Sequence, residues 1–331
     1  MGGAPAEGLS RRLRKAHKLS FPSWGYQLLV LGLLLSQGVI ALLVSHGWLW
    51  MTLPLVFLAA HLMHGIMIGF HEASHGLLKR SRLLNDIDGT LIGVFGFVPF
   101  TLYRVVHQAH HAHLASEQDE EFWPLVDPSV PRWKRRLAAF SELCFGLIYT
   151  PCLFYRAFFR ENSKVRSPRV RRRIWLEIAL TIAVWTGVGL LIMQKNLQMQ
   201  FLFVYLLPAW IGTNMQNWRK YVEHVGMTGS SVNAATRSIV TPGWVGRLMD
   251  FTLLHEPYHG VHHKHPGLPH AELPRRSHEL YPQCSDEFPP FPNYGTALLH
   301  MIPSLKDPQV GPQWKARRTC TQACEHSMAS W

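Results

Sequence analysis

Four long apolar runs limit what this chain can become. They cover residues 26–44, 49–70, 174–193 and 201–217. Each is close to the ~20 residues an α-helix needs to cross a hydrocarbon core ~30 Å thick. A segment inside a bilayer must pair its own backbone polar groups, so these runs are expected to be membrane-spanning helices. The composition agrees. Hydrophobic residues make up 47% of the 331-residue chain and charged residues only 16%, against about 25% charged in an ordinary soluble domain.

Charge places the runs relative to one another. The links at 45–48 and 194–200 are short, and Lys195 is their one Lys or Arg. Positive charge, with Lys+Arg 33 against Asp+Glu 21, gathers instead at 11–18 and 164–173. Loops rich in Lys and Arg stay on the cytoplasmic side. Both termini are therefore expected in the cytoplasm, and the four helices form two hairpins. Basic clusters beside apolar runs mark a membrane surface rather than a nucleic-acid site, and a positive face also draws acidic redox partners.

Two further apolar stretches are not expected to cross. Residues 91–103 are too few and contain Gly93, Gly96 and Pro99, which suits a re-entrant or interfacial segment. Residues 143–159 contain Pro151 and precede the strongest basic cluster, so they are placed in the interface as an amphipathic segment. The expected architecture is an all-α integral membrane protein of four transmembrane helices. A basic segment at 1–25 precedes a membrane domain at 26–269, and a polar, Pro-rich cytoplasmic segment follows at 270–331. No clear small-residue cleavage site follows the first apolar run, so that run is a span rather than a signal peptide. Cys144, Cys152, Cys284, Cys320 and Cys324 form no CxxC pair, which removes support for zinc-finger and thioredoxin readings.

Twenty histidines remain to be explained, and eight of them fall in three clusters. His71-Glu-Ala-Ser-His75 follows the second apolar run. His107-Gln-Ala-His110-His111 follows the broken stretch, and His259-Gly-Val-His262-His263 comes after the fourth run and a polar linker. Residues i and i+4 share a helical face, so His71 and His75 can address one metal. In the HxxHH clusters the first and last histidines share a face, while adjacent histidines diverge by about 100° at 3.6 residues per turn. Such a cluster can serve two metals. Eight imidazoles exceed what one tetrahedral zinc uses, and three clusters that each follow an apolar segment argue against unrelated surface histidines. Spacing therefore predicts a dinuclear site. A metal transporter is the rival reading, but transporters set their ionisable residues near the membrane midplane, and these clusters lie at the ends of the runs.

HEASH, HQAHH and HGVHH resemble the three histidine boxes of the membrane fatty acid desaturase superfamily, and the resemblance runs from about Tyr26 to Pro269. It implies two iron ions at the cytoplasmic ends of a four-helix bundle, O₂ as oxidant, a fatty-acyl or similar lipid substrate, and electrons from a separate ferredoxin or cytochrome b5. It also implies metal ligands at His71, His75, His107, His110, His111, His259, His262 and His263. His224, in RKYVEH, is similar to an extra ligand motif of alkane hydroxylases and several desaturases. His255 stands where many desaturases have Asn and is a further candidate, although Pro257 disfavours a continuous helix from it to His259. Desaturation is the leading activity implied; hydroxylation, terminal-alkene formation and ketolation share the scaffold. His61 and His64 lie inside the second run, and His64 shares the face of His71 and His75. Glu72, Asp119, Glu120, Glu121 and Glu256 are candidates to orient imidazole N–H groups.

Overall fold

A computed structural model describes residues 24–315. The basic cluster at 11–18 and the cysteines Cys320 and Cys324 lie outside the described residues. Within them the chain is helical, without a β-strand; the one bridge, between Ile239 and Phe291, is isolated.

Helix α1 (Trp24–Ser45) and helix α2 (Leu53–Ser74) form a tight hairpin through a 3-10 turn, Leu49–Thr52. Helix α3 (Arg82–Gly96) and helix α4 (Phe100–Ala112) meet at a 99° bend. Helices α5 (Arg132–Cys144) and α6 (Gly146–Phe159) follow, then α7 (Pro168–Lys195) and α8 (Leu207–His224). Shorter helices α9 (Gly243–Thr252), α10 (His259–Lys264) and α11 (Tyr294–Met301) close the chain over the end of the bundle.

By length and composition, three helices can cross a membrane: α1, the 49–74 run containing α2, and α7; the bent pair α3–α4 makes a fourth if it is one span. Almost none of the apolar window of α7 is covered by protein, so its surroundings must be apolar. The fourth expected span, 201–217, is not among the three. Its apolar half carries a π-helical turn, Leu202–Leu206, and its other half becomes polar and runs on to His224. Pro208 explains the turn, because proline has no N–H for the carbonyl four residues back. That carbonyl, on Val204, accepts instead from Gln37 Nε2 of α1 at 3.1 Å.

The bend between α3 and α4 is built the same way. Phe97 adopts a left-handed conformation, φ 59°, and Pro99 starts the next helix. Helix ends leave carbonyls without partners. Here Trp185 Nε1 donates to Val94 O at 2.9 Å and Tyr205 donates to Phe95 O at 2.5 Å. At the start of α4, Glu177 from α7 accepts from the N–H and the hydroxyl of Thr101 at 2.8 and 2.6 Å. The acidic residue in an apolar helix thus caps its neighbour.

The stretch at 143–159 is two helices, not one segment. Asn214 and Asn217 of α8 hold the break, Asn214 by bonding Gly146 N and Cys144 O and Asn217 by bonding Glu142 O. Gly146 is required there, since a Cβ would sit 2.3 Å from Asn217 Nδ2. Residues 270–315 are folded onto the protein: Ala297, Met301 and Val310 are wholly buried against Tyr221 and Val225.

Candidate metal centre

The second span ends in the first box. His71 lies in the last turn of α2 and His75 caps it, so both rings leave the helix on one side. The second box forms the last turns of α4, and the third is α10 itself. His224 closes α8. Four helix ends therefore deliver histidines to one buried region.

The rings sort into two groups. His71, His75, His107, His111 and His262 each offer a ring nitrogen within 4.8 Å of every other, and His110, His224 and His263 do the same. His259 joins the second group through its Nε2, 2.7 Å from that of His224 and 3.0 Å from that of His263. The adjacent pairs separate as helical geometry requires: His111 and His262 fall in one group, His110 and His263 in the other. Nine imidazoles thus make two neighbouring pockets, with His111 and His263 stacked between them at 4.4 Å.

Proton bookkeeping shows what such pockets want. His107 Nδ1 faces Glu121 Oε1 at 2.9 Å, His110 Nδ1 faces Asp119 Oδ2 at 2.7 Å, and His259 Nδ1 faces Glu256 Oε1 at 3.0 Å. His224 Nδ1 faces Ala235 O at 3.3 Å. A carboxylate or carbonyl only accepts, so each Nδ1 carries the proton and each Nε2 presents a lone pair. Two of those lone pairs face each other directly, His224 Nε2 and His259 Nε2 at 2.7 Å, and further Nε2 atoms converge on the same region: His75 on His107 at 3.0 Å, His111 on His107 at 3.1 Å, and His262 on His111 at 3.0 Å. His71 is 3% exposed; its Nδ1 lies 3.4 Å from Glu72 Oε1 and 3.5 Å from Glu256 Oε2, while its Nε2 has no hydrogen-bond partner. Buried lone pairs facing one another are unfavourable unless a cation lies among them. The residues therefore fit a pair of metal ions.

Burial, and then the neighbouring imidazoles, hold His75 down at about 3 and push His262 and His263 well below the ordinary histidine value. All three stay neutral at physiological pH, the form that binds a metal. Outside the rings, Arg219 bonds Glu223 at 2.6 Å and Glu256 at 3.2 Å, so the carboxylate behind His259 is itself held. Arg219 was not singled out from sequence; its place four residues before Glu223 was the available signal.

Not every candidate is brought in. His255 faces away: its Nδ1 meets His270 Nδ1 at 3.0 Å, and it belongs to neither group. Leu254 and His255 both have positive φ, 47° and 57°, so the chain turns before Pro257 and the helical register to His259 is lost. Glu120 pairs with Arg156 and Arg160 rather than with a histidine. His61 Nε2 is bonded to Thr252 at 2.9 Å. His113 and His265 stand outside both groups, His265 paired with Glu279.

The family model for fatty acid desaturases matches residues 47–294, a stretch that holds all three boxes and His224. The chain belongs to the fatty acid desaturase family. Relatives include the chloroplastic omega-3 fatty acid desaturase of Brassica napus, 21% identical over 76% of this chain and 67% of that protein. The chloroplastic sn-2 acyl-lipid omega-3 desaturase (ferredoxin) of Arabidopsis thaliana is 22% identical over 77% of this chain and 61% of its own length. An endoplasmic-reticulum omega-3 fatty acid desaturase of Nicotiana tabacum is 20% identical, over 77% and 72%. This desaturase-family chain spans about half to two-thirds of the chloroplast proteins it matches.

Proposed function

We propose that this protein is an O₂-dependent di-iron desaturase that forms a double bond in a fatty-acyl or related lipid chain, with electrons from a separate ferredoxin- or cytochrome b5-type protein. The observation that carries the reading is the division of nine imidazoles into two adjoining pockets at the ends of apolar helices. His71, His75, His107, His111 and His262 would hold one ion, and His110, His224, His259 and His263 the other. Bound iron would supply the activation of O₂; imidazole is also a ligand for zinc, copper and nickel, so iron rests on the family.

The protein's own part is orientation and exclusion of water. Asp119, Glu121 and Glu256 fix the ring tautomers, and Arg219 fixes Glu256. An apolar cavity of about 580 Å³ lies between α1, α2, α3 and α8, lined in part by Val30, Leu34, Met63, Met67, Ile92 and Ala209. It has the size and lining of a small-molecule site and suits an alkyl chain. In this reading 201–217 completes a four-span bundle, and the boxes and both termini lie in the cytoplasm.

The test is to express the protein in a desaturase-deficient host, profile its lipids and measure bound metal. The expected result is a new unsaturated acyl species and about two irons per chain. One zinc without iron would overturn the metal assignment, and hydroxylated products without unsaturated ones would overturn desaturation.

A further inference from the structure

Two electrons must reach this buried site in every turnover. Dehydrogenation takes two hydrogens from the lipid; with two electrons and two protons from outside, one O₂ becomes two waters. A one-electron carrier must therefore dock twice, at a place from which the imidazoles can be reached.

A groove on the described surface has such a connection. Phe122 is 2% exposed, and its ring centroid lies 4.6 Å from that of His224 and 5.6 Å from that of His110. The next residue, Trp123, is partly exposed and forms one wall of an open groove of about 420 Å³, which also holds Pro124, Pro131, Lys134 and Tyr149. The indole and phenyl rings are thus consecutive in sequence, one facing the groove and the other touching two histidines. Aromatic π-systems lower the barrier to electron tunnelling relative to saturated atoms. Lys220 stands over the Phe122 ring, with Nζ 5.0 Å from its centroid.

The rim of the groove is basic. Arg156 lies over the Trp123 ring at 3.8 Å, and Arg156 and Arg160 both pair with Glu120. Lys164 bonds the neutral Gln118 at 2.8 Å. Lys134 is exposed and lies over Trp133. Apart from the buried Asp119, Glu121 and Arg135, residues 117–136 and 156–164 carry six cations, Arg132, Lys134, Arg136, Arg156, Arg160 and Lys164, against four carboxylates, Glu117, Glu120, Asp127 and Glu161. A positive rim steers a negatively charged partner and sets its orientation.

We propose that the Trp123 groove is the docking site of an acidic one-electron carrier protein, and that Trp123 and Phe122 conduct its electrons to the imidazoles of His110 and His224. This rests on the desaturase reading above and adds the partner's place on the molecule. Each carrier is oxidised by one electron, and two dock in succession per double bond.

The test uses the full chain in phosphatidylcholine nanodiscs, with a plant-type [2Fe–2S] ferredoxin as the probe. Its Kd for the wild type should weaken steeply with added salt. Lys134→Glu/Arg160→Glu should weaken binding at low salt by about tenfold or more, since like charge set against like charge costs several kcal/mol, and should flatten the salt dependence. Lys134→Glu alone breaks no ion pair in the described structure and should weaken binding severalfold; Arg275→Glu, far along the chain, should not. Trp123→Leu should slow reduction of bound iron by ferredoxin about tenfold and leave reduction by dithionite unchanged. Wild-type affinity in both Lys134 variants overturns the docking site, and equal slowing with both reductants overturns the conduit. If the charge reversals alter only adhesion to anionic vesicles, the rim is a membrane contact and the proposal fails. Failure of the desaturase reading is separate: it appears as absent iron or absent lipid product, while the ferredoxin affinity is still measured.

Discussion

Four of the nine histidines in the centre are defined by the atom on their far side. Nδ1 meets a carboxylate or carbonyl at His107, His110, His224 and His259, and that contact turns Nε2 inward. Substitution should therefore read out as metal content before activity. His71→Ala, His107→Ala and His263→Ala should each lose at least one of the two irons by elemental analysis while still inserting, because insertion depends on the apolar helices. His224→Ala should behave likewise, and His255→Ala should keep both irons. An iron-replete His224→Ala protein would remove that residue from the ligand set. Loss of iron in His255→Ala would show that its pairing with His270 is not its resting state. Asp250, half-buried in α9, gives a second test at this scale. Burial raises its carboxyl to about 6, while the Tyr258 hydroxyl pulls it down. The folded protein then holds this proton more tightly than the unfolded chain, whose value is about 3.9. Its stabilising contribution is complete below about pH 4 and is lost as pH rises through about 6. Relative to Asp250→Asn, the wild type should lose stability over that window, by ~1 kcal/mol once the carboxyl's partial exposure is discounted. A thermal-melting difference that is flat from pH 4 to 7 would refute this.

Between helices, the decisive contacts are close backbone approaches and borrowed caps. A Cβ on Gly93 would sit 2.5 Å from Val98 O, and one on Gly212 would sit 2.6 Å from Ala60 O. Both neighbours are main chain and cannot rotate away. Gly93→Ala should force the α3–α4 bend open and shift α4, which carries the second box. The expected cost is ~1–3 kcal/mol, the usual penalty for overpacking, with iron loss as a secondary effect. A Gly93→Ala protein with unchanged melting temperature and iron content would show that the bend tolerates the methyl group. Trp185→Phe removes the donor to Val94 O. It should destabilise by ~1–3 kcal/mol, because a carbonyl left unpaired away from water keeps its desolvation cost.

For the whole molecule the constraint is parity. All three boxes share one buried region, so the chain must return to one side of the membrane before each of them. A chain that keeps this parity turns back without crossing at 82–112, where α3 and α4 bend by 99°, and at 132–159, where the helix is interrupted at Phe145. Single cysteines at Ser81, Ser129, Ser167 and Ser277, in a protein freed of its native cysteines, should label only from the cytoplasmic side. Cysteines at Gly47 or Asn196 should label only from the other side. Opposite labelling of Ser129 and Ser167 would make the α5–α6 region a span, which the shared site forbids.

The sequence by itself determined the helical class, the apolar hairpin of α1 and α2, and the three boxes with the divergence of their adjacent histidines into two pockets. These follow from local quantities: the length of an apolar run, and the 100° that separates adjacent residues on any helix. Tertiary structure decided the rest. His224 gained its place because α8 runs past its apolar part and ends beside α10. His255 lost its place because the backbone turns at two left-handed residues just before the third box. Glu120, Asp119 and Glu121 are neighbours in one acidic run, yet one meets arginines and two meet histidines. The fourth apolar run proved to be a helix broken at Pro208 and mended by Gln37, 167 residues away along the chain. Which partner a side chain meets across such a distance depends on how helices pack, and nothing local to the residue carries that information.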